Sequence, residues 1–385
     1  MIKIIAFDLK RLISEKKFTI PILMAIAINI LAFTYMCVDG IENNSVTTDS
    51  EEYINNNYIN DSIKKIQNNN ENISELTNEK KLVNKLFSPP GTYDDNIIYD
   101  LKAPVDIFKK RIEYTRFILD KKKVDKVNQK KVLQKMNSLD NSIKKSNYSS
   151  WKLLLILIGI VTITTALSLI INISNFLSEE NETGMKSIIN SEIKKINVFV
   201  KSLEILVYSS LVFIVNITIL IIPIFFLMGI DGWNTDIHLY SELFTSMYNY
   251  NFLKCFIVLV IMHFTFIIFV GEGTLFMSLI IKDNITVIFI ALFILTFPVL
   301  FIRIVEINSS GIISKIFSDF SIINYIIPIT PLIEFKLYKM INNIYITKIE
   351  MLIITNIMST IFILFLMYIF KINKNNYIKN DCVSK

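Results

Sequence analysis

Two histidines, three cysteines and one Gly-Glu-Gly triplet inside an apolar run are the residues through which this 385-residue chain could do chemistry. His238 and His263 stand far apart, with none of the i, i+4 pairing by which a helix presents two imidazoles to zinc. The nine glycines never form a G-x-x-x-x-G-K-S/T loop, so no Walker-type cradle for a nucleotide phosphate is present, and ATP use would have to come from another subunit. Neither a catalytic constellation nor a cofactor or metal site is expected. Cys37 and Cys255 both fall near the same expected membrane face, where they could pair, although chance placement is the reading favoured in the absence of any other bridge signal, and Cys382 is expected to be a reduced tail thiol.

Glu272, between Gly271 and Gly273, is the sharpest remaining candidate, because a carboxylate within an apolar run is costly and usually faces protein or water. The glycines would let another helix approach closely. His263 lies nine residues earlier and is read as pointing to a similar side of the helix, a pairing that would make a proton or cation relay. A structural role is the expectation weighed against it, since Glu272 sits close enough to the end of its run to reach headgroups.

The elements that must position these residues are six uncharged or nearly uncharged runs: Phe18 to Val38, Leu153 to Leu177, Ile205 to Leu227, Phe252 to Ile281, Ile285 to Ile304 and Met351 to Phe370. A hydrocarbon core of roughly 30 Å needs about 20 helical residues, which each run supplies. The expected fold is an all-α integral membrane protein with six transmembrane helices. Its segments are an interfacial helix over 1–17, spans over 18–38, 151–177, 204–229, 252–281, 285–304 and 349–370, and a tail over 371–385. Between spans lie an extracytoplasmic region over 39–150, a cytoplasmic connection over 178–203, an outer loop over 230–251 and an outer or re-entrant segment over 305–348. A hydrophobic content of 52% and a mean hydropathy of +0.48 exclude an ordinary soluble domain, and the net charge of +6 resides largely in short basic segments beside spans rather than in a nucleic-acid footprint.

Orientation follows from those segments, because Lys and Arg beside a span resist translocation. Lys3, Lys10, Arg11, Lys16 and Lys17 precede the first span, Lys186, Lys194, Lys195 and Lys201 follow the second, and Lys371, Lys374, Lys379 and Lys385 follow the last. All three are placed inside, so both termini are expected in the cytoplasm of a cell whose cytoplasmic membrane holds the protein. The loop 228–251 carries no Lys or Arg and belongs outside. The first apolar run is too long, and too plainly lacking a small-residue exit site, for a cleavable signal. Ile2, Ile5, Leu9, Leu12 and Ile13 form one stripe of an amphipathic helix, with Lys10, Arg11, Ser14 and Lys17 opposite, as suits a helix lying on the inner leaflet.

The segment 39–150 holds 19 Lys or Arg and 17 Asp or Glu and is expected to lack a deep core. Ser88-Pro89-Pro90-Gly91 divides it into two helical patterns, about 49–87 and 104–145, read as a long antiparallel hairpin. Ile107, Tyr114, Phe117, Ile118, Val124, Val127, Leu133, Met136 and Ile143 would form its seam.

The connection 178–202 has the most specific pattern. Glu179, Glu180 and Glu182 precede Gly184; Met185, Ile188, Ile189 and Ile193 form an apolar patch; Lys201 stands just before the third span. An acidic start and basic exit suit a short helix's dipole and leave an apolar knob. This pattern resembles the coupling region of ABC-2 type transporter permeases, with Asn181 in place of the Arg usual in the acidic cluster and Glu192 in place of the usual Pro. The resemblance extends to the elbow helix, the six spans, the large segment after the first span and Ser321 to Leu332, an apolar stretch of 12 residues with Pro328 and Pro331 that is too short to cross. It implies a permease subunit of a bacterial exporter, a cytoplasmic ABC ATPase partner carrying ATP and magnesium, a second identical or sister permease, and Glu180, Glu182, Gly184, Met185, Ile188, Ile189, Ile193 and Lys201 as ATPase-coupling residues. Two other classes stay open: a non-transporting sensor or immunity protein with an outer receptor hairpin, and a secondary transporter, which would need inverted repeats not evident here. If the orientation holds, single cysteines at Asn70 and Asn128 will react with an impermeant maleimide from outside, whereas those at Lys186 and Asn375 will react only after permeabilisation; outside labelling at Lys186 would reverse the topology.

Overall fold

The computed structural model describes residues 2–41, 53–68, 83, 87, 104–121, 124–144, 148–182, 198–281, 283–305, 321–340 and 344–383. Helix α1 (Ile2–Ser14) is followed after Glu15 by α2 (Lys16–Ile41); a small domain, called outer after its expected side of the membrane, then comprises β1 (Tyr53–Ile54), α3 (Asn56–Asn68), α4 (Ile107–Lys121), α5 (Lys126–Asn137) and β2 (Ile143–Lys144). The bundle continues with α6 (Ser149–Glu182), α7 (Val198–Met228), α8 (Phe252–Ile280) and α9 (Asn284–Val305), then two single turns, α10 (Ile323–Ile326) and α11 (Thr330–Ile333). A hairpin of β3 (Leu337–Lys339) and β4 (Tyr345–Thr347) leads into α12 (Lys348–Val383).

Among the described residues, five helices are long and apolar enough to cross a membrane: Lys16–Met36, Ser149–Phe176, Phe199–Met228, Phe252–Ile280 and Lys348–Ile369. These Ile- and Phe-rich runs are poor helix formers in water; in hydrocarbon a helix is the one local conformation that satisfies every backbone N–H and C=O within the segment. The fifth apolar run forms the 22-residue helix α9, apolar over Asn284–Leu300, with Pro298 inside it. Three helices also run past their expected ends, α6 to Glu182, α12 to Val383 and α7 from Val198, so helix outlasts the apolar run in each case.

Helix α6 is the axis of the bundle. Of its most apolar window 72% is buried, against 17% to 44% in the other four spans, and α2, α7, α8, α9 and α10 all pack on it. Leu155, Leu157, Val161, Leu169, Ile173 and Phe176 are fully enclosed. Gly159 marks the closest approach: a Cβ there would lie 2.3 Å from the carbonyl oxygen of Ile326 at the end of α10. Gly159 is ten residues into α6, about 15 Å along its axis, so the turn at Tyr325 and Ile326 packs well inside the length of that helix. At the same end of the bundle as the outer domain, Trp151 donates from Nε1 to the Ile230 carbonyl at 3.0 Å and packs on Phe225 and Phe256, while Tyr148 stacks on Phe252 with centroids 5.1 Å apart. Such an aromatic collar suits a membrane interface.

The outer domain departs from the expected pair of long helices. The second pattern is broken into α4 and α5, because Asp125 accepts from the backbone N–H groups of Val127 and Asn128 and so starts a new helix. The first pattern is described only over α3 and two single residues. The predicted seam is only in part the buried side of α4 and α5: Tyr114, Ile118, Val124 and Leu133 pack against the core, but Phe117 and Val127 are 47% and 56% exposed, while Phe108, Arg111, Thr115, Leu119 and Val132 are enclosed. Ile107, Met136 and Ile143 are buried as expected. Ile59 and Ile63 of α3 complete a compact core that closes on the loop 235–251, where Phe108 meets Phe244 at 6.0 Å. The expectation of no deep core overlooked that loop as the missing wall. Gly159→Val should force α6 and α10 apart, at about 1–3 kcal/mol for overpacking; a thermal-unfolding series in detergent should show Gly159→Val below Gly159→Ala and both below the parent.

Candidate functional site

The apolar knob of the predicted coupling region, Gly184, Met185, Ile188, Ile189 and Ile193, lies within 183–197, outside the described residues, and Glu180 and Glu182 are described only as backbone at the end of α6. Lys201 is the member with a described side chain. It is buried in the first turns of α7, where Nζ lies 2.8 Å from Asp8 Oδ2 and 3.1 Å from Glu204 Oε2. Its ammonium also sits 4.7 Å above the Phe176 ring, with the Arg11 guanidinium 5.0 Å from the same ring. One cation is thus shared by two carboxylates, one on α1 and one on its own helix. Asp8 has a sequence signal that the wheel reading passed over: it lies one turn before Leu12 and three residues after Ile5, within the apolar stripe rather than opposite it. The stripe itself is modified accordingly, since Leu12 is buried but Ile13 is 55% exposed.

His263 and Glu272 are both buried, but they do not meet. Nine residues at about 100° each make two and a half turns, so the side chains leave α8 on opposite sides, and the expectation of similar sides is corrected. Glu272 accepts from the Ser202 hydroxyl of α7 at 2.8 Å. Gly271 supports that contact as expected, because a Cβ on it would lie 2.5 Å from Ser209 Oγ; Gly273 has room, with Ile363 Cδ1 at 3.8 Å. His263 instead meets the edge of Tyr325, with ring centroids 5.9 Å apart. Tyr325 stacks on Phe266 at 4.0 Å and donates to Asn356 Oδ1 at 3.0 Å, and the Asn356 amide donates to Thr265 Oγ1 at 3.2 Å. No relay between Glu272 and His263 follows.

Two further polar rungs tie α2, α6 and α7. Thr164 donates to Asn29 Oδ1 at 2.9 Å, and Asn29 donates to Asn216 Oδ1 at 3.1 Å. Asn172 donates to the Tyr208 hydroxyl at 2.6 Å and to the Phe18 carbonyl at 3.0 Å. Amide and hydroxyl rungs of this kind fix helix register in lipid. Among the described residues no group of three or more His, Cys, Asp or Glu is arranged to hold a metal, and Cys255 is a buried free thiol.

Outside the spans, the buried guanidinium of Arg111 lies between Phe108 and Phe244, at 5.2 and 5.3 Å from their ring centroids. Its burial lowers its pKa to about 10. His238 donates from Nε2 to the Ser246 carbonyl at 3.0 Å, and burial, followed by the positive charge of Arg111, lowers its pKa to about 4. This cluster was missed because Arg111 was counted with the solvated charges of 39–150. The chain was compared with known protein families, with curated proteins and with solved structures, and no match was found.

Two outcomes follow from these clusters. Removing one partner of a buried ion pair strands the other, at about 3–5 kcal/mol, so Lys201→Met should lower thermal stability sharply and Asp8→Asn less, since Glu204 still faces the ammonium; equal stability of all three proteins would refute the shared-cation geometry. His238 titrates near 4 when folded and near 6.5 when unfolded. The unfolded chain therefore binds the extra proton across that window, and stability falls as pH drops from 6.5 to 4, by on the order of 3 kcal/mol. Burial raises the pKa of nearby Asp236 and gives it an opposing slope, so the readout is the difference between the parent and His238→Asn, which should lose the His238 contribution.

Proposed function

We propose that this chain is the membrane-spanning subunit of an ATP-driven exporter of the ABC-2 type, crossing the cytoplasmic membrane six times with both termini inside. The observation that carries the reading is the buried Asp8–Lys201 contact, which fastens an amphipathic N-terminal helix to the first turns of α7 directly beside the connection 183–197. An ATPase pressing on that connection would move α1 and α7 together, because the pair resists separation in a setting where breaking it leaves a buried charge. The turn packed on Gly159 and the amphipathic α1 add to the resemblance that the acidic cluster, Gly184 and the Ile188-Ile189 patch first suggested.

In this reading ATP and magnesium are held by a cytoplasmic partner, and this chain supplies no hydrolytic group. Two permease subunits, identical or sister chains, surround the path, and closure of the ATPase dimer rocks the spans between inward and outward states. The outer domain rides on the loop between α7 and α8, through Phe108–Phe244, so movement of those helices reaches it directly. The test is Ile188→Asp combined with Ile189→Asp, which would place two carboxylates at the ATPase contact at a cost of several kcal/mol and lower association by orders of magnitude. The double variant should insert normally, lose its ATPase on purification and lose transport-coupled ATP turnover, while Lys194→Ala keeps both. Full retention of the ATPase by the double variant would favour a membrane-anchored receptor instead.

A further inference from the structure

A cavity of about 270 Å³ lies between α8, α9, α10 and α12. Its apolar wall is formed by Phe266 and Phe269 of α8 and by Ile294, Leu295 and Pro298 of α9. Tyr325, Thr355, Asn356 and Ser359 supply the opposite side, and no lining residue carries a charge. Phe266 and Phe269 fall near the middle of Phe252–Ile280, Ile294 near the middle of α9, and Asn356 about a third of the way along Lys348–Ile369. The turn at Tyr325 closes one end. The cavity therefore belongs to the interior of the hydrocarbon layer, and the flanking faces, Phe293 and Ile294 on α9 with Ile357 and Met358 on α12, are exposed where lipid would touch them.

The polar side chains are mostly committed to one another. Tyr325 donates to Asn356, Asn356 to Thr265, and Thr355 to the Met351 carbonyl. A water takes about 30 Å³ of liquid volume and needs two to four polar partners, so these few remaining donors and acceptors cannot solvate the space. A volume just below the roughly 300–1,000 Å³ of small-molecule pockets suits a single methylene chain rather than a whole two-chain lipid. We propose that this cavity is a binding site for one acyl chain of a bilayer phospholipid, entering sideways between α9 and α12 and lying against the Phe266, Phe269 and Leu295 side chains. Pro298, inside α9, lines the cavity and has no backbone N–H to donate there. The proposal is independent of the exporter reading, because it requires only that these helices lie in a bilayer.

The test uses the full chain in phosphatidylglycerol nanodiscs carrying a trace of phosphatidylcholine with a diazirine at the end of one acyl chain. After irradiation and digestion, adducts should concentrate on the peptides that hold Phe266–Phe269 and Ile294–Pro298, severalfold above Phe226, which is 86% exposed and reports ordinary annular lipid. Leu295→Trp and Ser359→Phe fill the cavity from different helices; each should cut those adducts severalfold and leave the Phe226 signal unchanged, the latter also reporting that the variant is folded. Adducts spread evenly over exposed apolar residues in the parent, or unchanged by both variants, would overturn the proposal.

Discussion

The enclosure of α6 is the constraint on which the rest of the bundle depends. A helix exposed to lipid gains nothing by excluding its neighbours' apolar side chains, because lipid tails are as apolar as leucine, so association must come from close packing and polar rungs. Helix α6 supplies both. Its Gly159 admits the Ile326 carbonyl, its Thr164 reaches Asn29 of α2, and its Asn172 reaches Tyr208 of α7 and the Phe18 carbonyl of α2. The peripheral spans α2 and α12 bury little of their own windows, 22% and 17%, and take their places from such contacts.

From that axis the two ends of the molecule follow different rules. At the end holding α1, a single ammonium neutralises carboxylates from two helices beneath an aromatic ring, a contact costly to form and more costly to break. At the other end, aromatic side chains and a small α/β domain close over the loop between α7 and α8, with Arg111 held against two ring faces. Helices α7 and α8 run between the two ends, and Glu272–Ser202 with Gly271–Ser209 holds them together near the charged one.

Much of this was legible in the chain, and the parts that were not share a cause. Apolar runs announce helices because the bilayer imposes one backbone solution, and Pro328 and Pro331 in a run of 12 residues announce the short turns α10 and α11 rather than one long helix. Asp8 was hidden because a charge on an apolar stripe is read as noise until its partner, Lys201, some 190 residues later, is brought to it by the fold. The outer seam was legible except at Phe117 and Val127, and Phe108, Arg111 and Val132 were passed over because periodicity within α4 and α5 does not reveal that a remote loop, 235–251, supplies the facing wall. The supposed His263–Glu272 pairing failed on elementary helix geometry, half a turn out of phase.

The central claim is that the connection between α6 and α7 is a docking surface for an ATPase, and contact at one position tests it most directly. Replacing Ile188 with the photoreactive residue p-benzoylphenylalanine in native membranes, followed by irradiation and mass spectrometry of the adduct, should capture a cytoplasmic ATPase bearing a Walker loop. A position 188 that captures only lipid, or that reacts with proteins outside the cell, would contradict the account.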